Sequence, residues 1–401
     1  MGNEEFLRSL REEVDNIATA INPSDLGINL EHNYNPQLIL APNNISEIVT
    51  IMKLANKYGV SVYPIGSGSK FVKGICPFDE GVLVSLKNIN KVVEYRPDNM
   101  SVEVESGLSI NELQGMLAKD NIFFPIDTSN DLQTIGGIIA TDAFGRKKYM
   151  YKTTRFYVMG MEFVSPQGEI IKVGGRTIKN VSSYDVHQLL AGSWGALGII
   201  TKATLRVKPI PEKGLVLQYV VKNGNELLRI IDSILFKEKL SLASLTFEQL
   251  DSSFLIKVEL EGFAETLKLQ QDLLEKNHGF KESNTNYADI NNTQGIISLP
   301  LKSYLKGLEK LLELTKPETG IKIKGNATSG LLSFDINASR EILQNLSDSI
   351  NSLQGTLIFE NLSLTQKNRG NAYNLLLRDI KNKIDPKHIL VPASKVVRSR
   401  L

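Results

Sequence analysis

The amino-acid sequence predicts an α+β fold that is divided near Pro211. Up to that residue, strand-like segments alternate with single amphipathic helices. The stretch "KPIPEK" then interrupts the pattern, and two similar rounds of strands and helices follow it. Strands and helices mixed in this order are typical of sheets that carry helices on one side.

The first half contains two helices whose ends are marked in the sequence. "NNISEIVTIMKLANKYG" places Asn44 at the N-cap, Glu47 three residues later and Gly59 at the C-terminal end. A strand then leads into a glycine-rich loop, and "GVLVSL" and "SVEVESG" are further predicted strands. "SINELQGMLAKDN" begins the second helix with a capping box from Ser109 to Glu112.

The second half repeats one arrangement of elements twice. The first round consists of "LVLQYVV", a helix around "ELLRIIDSILFK", the strands "LASLTFEQL" and "SFLIKVELEG", and a helix from about Thr266 to Asn277. The second round consists of "LKSYLKGLEKLLELTK", "IKIKG", "GLLSFDI" and "REILQNLSDSINSLQ". We therefore expect a second α+β domain.

Composition excludes several classes of function. With 46 basic and 44 acidic residues, the net charge of +2 does not predict a nucleic-acid surface. No apolar run approaches the ~20 residues of a membrane span, and no signal peptide pattern is visible. Cys76 is the single cysteine, which fits a reducing cytoplasm. The four histidines have no metal-ligand spacing, so we expect no metal site.

Three glycine-dense stretches in the first half are candidate binding segments. "PIGSGSKFVKG" begins at Pro64, "PIDTSNDLQTIGGIIATDAFG" at Pro125 and "AGSWGALGIITKATLRV" at Ala191. The first stretch lacks the third glycine of a dinucleotide fingerprint, because Phe71 stands there, and it lacks a P-loop triplet. Glycines nevertheless let backbone N–H groups approach a ligand. Three such stretches together predict a large phosphate-bearing ligand held by backbone.

The order of the motifs resembles one protein family. "P-x-G-x-G-x-K", "T-I-G-G-x-x-A-T", "T-R-x-x-V-x-G", "G-G-R-x-x-K-N-V-x-x-Y-D" and "G-S-x-G-x-L-G-I-I-T" follow one another in the chain. In this order they are similar to the FAD-binding domain of the vanillyl-alcohol oxidase and p-cresol methylhydroxylase superfamily. Within that superfamily, "KNVSSYD" most resembles the FAD-binding subunit of bacterial glycolate oxidase.

The resemblance implies the domain organisation. We expect an N-terminal helical extension over residues 1–35, a two-lobed FAD-binding domain over 36–211 and a smaller α+β cap domain over 212–366. Residues 367–401 are expected to form a C-terminal helix and tail that return to the FAD-binding domain.

The resemblance also implies which residues bind the cofactor. Main-chain N–H groups from Ile65 to Lys70 would surround the FAD pyrophosphate, and the second stretch would meet the diphosphate and flavin from the other side. Ile199 and Ile200 would pack the flavin or adenine, although each also fits an ordinary core position. The expected cofactor-binding residues are Pro64, Ile65, Gly66, Ser67, Gly68, Ser69, Lys70, Ser129, Thr134, Ile135, Gly136, Gly137, Thr141, Arg155, Ile199 and Ile200.

Two departures from the family concern the mode of flavin attachment and catalysis. Some relatives attach FAD through His or Cys near these loops, where this chain has Lys70 and the run Asp142–Phe144, so we expect non-covalent FAD. Catalytic relatives carry a histidine-rich metal motif in the cap domain, whereas "IKGNATSGLLSFD" contains no histidine. The catalytic residues are unknown from the sequence. Cys76 and His388 have ordinary structural interpretations.

The basic stretch "GRKKYMYKTTR" leaves several interpretations open. It fits a solvated turn, a contact with FAD phosphate, a site for a substrate carboxylate, or a surface for an acidic partner. Arg155 is the residue of this stretch that the family pattern places near the cofactor.

We therefore expect an FAD-dependent subunit of a glycolate-oxidase-like 2-hydroxy-acid dehydrogenase. The resemblance implies a second flavoprotein subunit and an iron–sulfur subunit as partners, with association to a membrane only through them. One alternative is a stand-alone flavin oxidase or dehydrogenase for another alcohol or hydroxy acid. Another is a non-catalytic scaffold that carries flavin.

Overall fold

The computed structural model describes residues 2–14, 17–20, 38–68, 81–127, 132–175, 186–251, 253–283, 295–314, 322–335, 340–359 and 371–390. Residue contacts divide the chain into two units. The first unit comprises Met1–Ala143, Thr153–Ile210 and Arg369–Arg400, and the second comprises Phe144–Lys152 and Pro211–Asn368, with Leu401. The segment Phe144–Lys152, which the sequence analysis places in the first domain, thus belongs to the second unit.

The chain up to Ile210 contains short strands and helices. In chain order they are α1 (Gly2–Glu13), β1 (Ala18–Ala20), β2 (Leu38–Ala41), α2 (Ile45–Tyr58), β3 (Val62–Ile65), β4 (Val82–Ser85), β5 (Val92–Arg96), β6 (Ser101–Glu105), α3 (Ile110–Leu117), β7 (Ile122–Phe123), α4 (Ile135–Thr141), α5 (Lys148–Tyr151), β8 (Val158–Val164), β9 (Ile170–Gly174), α6 (His187–Leu190), β10 (Ile199–Arg206) and β11 (Lys208–Pro209).

The first unit is built on two sheets. The first sheet has the order β1-β2-β4-β3, in which β2, β4 and β3 run parallel and β1 is antiparallel to β2. The second sheet is antiparallel, with the order β5-β6-β10-β8-β9. Each sheet has its own apolar core. These two sheets agree with the predicted two-lobed domain.

Local sequence signals explain where the helices of this unit begin and end. Asn44 caps α2 by accepting a hydrogen bond from Glu47 N, and Gly59 ends the helix at φ +69°. Ser109 and Glu112 form the predicted capping box of α3. The helix α2 buries one apolar stripe against the first sheet, and α3 buries Leu113 in the core of the second.

The remaining elements are those of the second unit and a final helix. They are β12 (Lys213–Val221), α7 (Gly224–Asp232), a π-helical turn (Ser233–Lys237), β13 (Leu242–Gln249), β14 (Phe254–Gly262), α8 (Ala264–His278), β15 (Lys281–Glu282), β16 (Gly295–Ser298), α9 (Tyr304–Leu314), β17 (Lys322–Asn326), β18 (Leu331–Asp335), α10 (Arg340–Ser352), β19 (Thr356–Phe359) and α11 (Asn371–Ile384). The helix α11 belongs to the first unit.

The second unit contains the βαββαβ arrangement twice. Its single antiparallel sheet has the order β15-β12-β14-β13-β17-β18-β16-β19, so that the two repeats join between β13 and β17. The two predicted rounds of strands and helices are confirmed. The strands β15, β16 and β19 were not predicted, because each is only two to four residues long.

Two basic residues that follow the second glycine segment, Arg146 and Lys147, form ion pairs within the second unit. Arg146 Nε lies 3.3 Å from Glu259 Oε2, and Lys147 Nζ lies 3.1 Å from Glu259 Oε1 and also contacts Glu261. The Tyr151 hydroxyl donates to Glu261. Burial disfavours the charged amine, but the two carboxylates outweigh it and raise the pKa of Lys147. For Arg146 and Lys147, the interpretation as part of a solvated turn is therefore wrong.

No helix among the described residues is both long and apolar enough to cross a membrane.

Candidate functional site

The three glycine segments meet at one cavity of the first unit. The cavity encloses about 830 Å³ of empty space, counted to its open mouth. Its lining comes from the end of β3, from α4 and the residues before it, and from the turn before β10. The lining residues are Pro64, Ile65, Gly66, Ser67, Gly68, Leu86, Gln133, Thr134, Gly136, Gly137, Ala140, Thr141, Trp194, Gly195, Gly198 and Ile200. Residues of all three stretches thus line the same cavity.

The first and second segments touch through a glycine. A Cβ atom added to Gly66 would lie 2.0 Å from the Thr134 Oγ1 atom, so only a hydrogen atom fits there. Thr134 is the N-cap of α4, and its Oγ1 accepts a hydrogen bond from Gly137 N at 3.3 Å. Gly68 has φ +82°, a conformation that glycine adopts without strain.

The third segment is held against the other two by backbone contacts. Gly192 N donates to Ile139 O at 3.0 Å, and Trp194 N donates to Ala140 O at 2.8 Å. A Cβ atom on Gly195 would lie 2.6 Å from Pro64 Cγ. The glycines therefore allow the main chain to pack closely on the side chains of Thr134 and Pro64 around the cavity.

Two lining side chains have polar atoms that are buried and that have no hydrogen-bond partner in the described part of the chain. They are Gln133 Oε1 and Trp194 Nε1. Buried polar atoms in folded proteins are almost always paired. Both atoms have almost no accessible surface, so a ligand in the cavity reaches them only if the side chains move.

Ten of the predicted binding residues line the cavity. They are Pro64, Ile65, Gly66, Ser67, Gly68, Thr134, Gly136, Gly137, Thr141 and Ile200. Ile135 and Ile199 are fully buried in the cores of the second and first sheets. Ser69, Lys70 and Ser129 lie outside the described residues, as do Cys76 and the "KNVSSYD" motif.

Arg155 does not line the cavity, but its hydrogen bonds hold two segments of the cavity wall together. Its Nε lies 3.1 Å from Asp142 Oδ2, and its two terminal nitrogens donate to Gln188 O at 2.8 Å and Ala191 O at 2.6 Å. Arg155 thus joins the C-terminal end of α4 to the start of the third segment.

Six further residues line the cavity and were missed as binding residues: Leu86, Gln133, Ala140, Trp194, Gly195 and Gly198. Gln133 directly precedes the N-cap Thr134, and Trp194 lies between Gly192 and Gly195. Because Gln133 and Trp194 lie inside the glycine segments, the sequence could have identified them as lining residues. Leu86 follows β4, and no sequence pattern marks it as part of a binding site.

The histidines of the described residues do not form a metal-binding group. No group of three or more His, Cys, Asp or Glu side chains with metal-binding geometry occurs among the described residues. His278, in the second unit, instead pairs with Glu238 through its Nε2.

Comparison with known proteins agrees with this geometry. Residues 36–174 match a protein family described as the FAD binding domain. Glycolate oxidase subunit GlcD of Bacillus subtilis is 31% identical over 225 residues, which are 56% of this chain and 47% of that protein. A D-lactate dehydrogenase of Anaerostipes hadrus is 36% identical over 177 residues, which are 44% of this chain and 37% of that protein. The match thus spans less than half the length of these relatives.

The fold agrees with a solved structure. The structure of an alkyldihydroxyacetonephosphate synthase superposes with a TM-score of 0.73 at 18% identity. The superposition covers 97% of this chain and 84% of that one, and it supports the predicted α+β fold class.

Proposed function

We propose that this chain is an FAD-dependent oxidoreductase that acts on a small 2-hydroxy acid, since residues 36–174 match the FAD binding domain family. We further propose that it is the FAD-binding subunit of a glycolate-oxidase-like complex with a second flavoprotein and an iron–sulfur protein. The names of the relatives support the substrate class. A cytoplasmic location, as expected from the single cysteine, belongs to the same proposal.

The observation that carries the proposal is the glycine-lined cavity. Main-chain N–H groups of the segment Ile65–Gly68 would bind the pyrophosphate of FAD, as oriented donors that replace water. Thr134 and Thr141 line the same cavity, while Leu86 and Ile200 supply apolar walls for the rings.

Bound FAD would supply a hydride acceptor for oxidation of the hydroxyl carbon. The protein must also hold the substrate carboxylate and take up the hydroxyl proton. None of the described residues that line the cavity carries an ionisable side chain. The cavity therefore suits cofactor binding, and these two tasks fall to groups outside its described lining. This division favours a subunit of a larger enzyme.

The two alternatives differ in what reduces the flavin. A stand-alone oxidase would have its flavin reduced by a hydroxy acid without any other protein. A non-catalytic scaffold would hold flavin that no hydroxy acid reduces, even with partner subunits present. The subunit proposal requires reduction that depends on the partners.

We expect FAD to be bound without a covalent bond. Covalent flavin needs a nucleophilic side chain, and the described lining contains no His, Cys or Tyr. Acid precipitation of the yellow protein should therefore leave the flavin in the supernatant, where chromatography identifies it as FAD. Flavin that remains in the pellet would contradict the expectation, and a colourless protein that takes up no added FAD would contradict the proposed function.

A further inference from the structure

A buried ion pair lies at the C-terminal end of the described chain. Lys381 on α11 is 1% exposed, and Asp385, just after the helix, is fully buried. The Lys381 amine donates to Asp385 Oδ2, to Ala196 O at 2.6 Å and to Leu390 O at 3.2 Å. Asp385 in turn accepts from Ile389 N and Leu390 N, each at 2.9 Å. Every proton of the ammonium group has an acceptor.

Such a pair is costly to bury, and its partners indicate what it does. Burial lowers the pKa of Lys381, while the hydrogen bond to Asp385 acts in the opposite direction. A buried ion pair seldom stabilises a fold more than an apolar pair of the same size. Two of the three acceptors are main-chain carbonyls, and one of them, on Ala196, belongs to the third glycine segment. The pair therefore fixes backbone positions.

The backbone that Lys381 holds is a wall of the cavity. Ala196 lies between Gly195 and Gly198, which both line the cavity. Gly195 packs directly on Pro64 of the first segment, so a shift of Ala196 changes the contact between two walls.

The same C-terminal segment also contacts the strand that leads into the first wall. Val62 N donates to Ile389 O at 2.7 Å, and Val62 forms a parallel bridge with Leu390. Val62 begins β3, which runs into the Pro64–Gly68 segment. The C-terminal segment therefore joins two of the three cavity walls.

We propose that Lys381, together with Asp385, is a positioning residue of the cofactor site, which sets the third glycine segment against the first. Retention of the cofactor then depends on residues far downstream of the matched domain, 36–174. The identity of the cofactor as FAD rests on the function proposed above.

The test compares Lys381→Met with Lys383→Met, which removes an exposed amine from the same helix. FAD affinity is measured by titration of flavin-free protein at a temperature where both variants are folded by circular dichroism. We expect Lys381→Met to bind FAD roughly 10- to 100-fold more weakly, because the loss of one hydrogen bond to a charged group changes an affinity by about this factor. Lys383→Met should bind FAD like the wild-type protein. The visible circular dichroism of the flavin bound at saturation should change only in Lys381→Met.

A second variant separates positioning from stability. Lys381→Met leaves the Asp385 charge unpaired, whereas Lys381→Met with Asp385→Asn removes that charge. We expect the double variant to recover thermal stability but not FAD affinity or the flavin dichroism. Wild-type affinity and dichroism in a folded variant without Lys381 would overturn the proposal. Wild-type protein that binds no FAD would instead overturn the proposed function.

Discussion

Gly137→Val is expected to weaken the binding of FAD roughly 10- to 100-fold while the first unit remains folded. Gly137 lines the cavity, and a Cβ atom added there would have one neighbour within 4 Å, Thr134 Oγ1 at 3.2 Å. The valine side chain therefore enters space that the cofactor needs rather than the packed core. Overpacking by a few atoms costs about 1–3 kcal/mol, which corresponds to a loss of roughly 10- to 100-fold in affinity.

The matched control is Gly115→Val on the exposed face of α3, where an added Cβ has no neighbour within 4 Å. FAD content after gel filtration and far-ultraviolet circular dichroism are measured for both variants. Gly68→Asp is a companion variant, because it adds a negative charge where the pyrophosphate is expected and φ is +82°. Normal FAD content in both Gly137→Val and Gly68→Asp would mean that these segments do not bind the cofactor.

The isolated chain is expected not to oxidise glycolate at a useful rate. The described lining of the cavity has no ionisable side chain, and the cap stretch "IKGNATSGLLSFD" has no histidine. In that stretch the Asn326 Oδ1 atom accepts hydrogen bonds from Thr328 Oγ1 and Ser329 N, so the Asn326 side chain stabilises the turn between β17 and β18. Loss of one positioned base typically lowers the rate roughly 10²- to 10⁴-fold.

Anaerobic mixing with glycolate, D-lactate or L-lactate tests this expectation through the bleaching of the flavin absorbance. Dithionite serves as the control, because it should bleach the bound flavin at once and prove that the flavin is reducible. Complete bleaching within seconds by any of the hydroxy acids would favour the stand-alone enzyme over the subunit.

Local features of the fold followed from the sequence, because short-range chemistry determines them. Asn44 and Ser109 cap their helices as predicted, since a cap depends on residues three positions apart. The glycine segments were found for a similar reason: close backbone packing excludes side chains, and the glycines remain visible in the sequence.

Features that depend on distant partners did not follow from the sequence. Arg146 and Lys147 pair with carboxylates more than 110 positions away, so the stretch that contains them joins the second unit. Lys381 reaches Ala196 over 185 positions. Trp194 was missed because a large aromatic residue between glycines is not a phosphate-binding pattern, although its ring lines the cavity.

The most direct test of the central claim, that the three glycine segments enclose FAD, is a titration followed by tryptophan emission. Trp194 is the only tryptophan of the chain and lines the cavity, so all of the emission reports on this site. We expect the emission of the flavin-free wild-type protein to fall as FAD is added and to level off at stoichiometric FAD. In Gly137→Val the same fall should need roughly 10- to 100-fold more FAD. FAD that binds tightly to the wild-type protein without changing the emission of Trp194 would place the cofactor elsewhere and contradict the account.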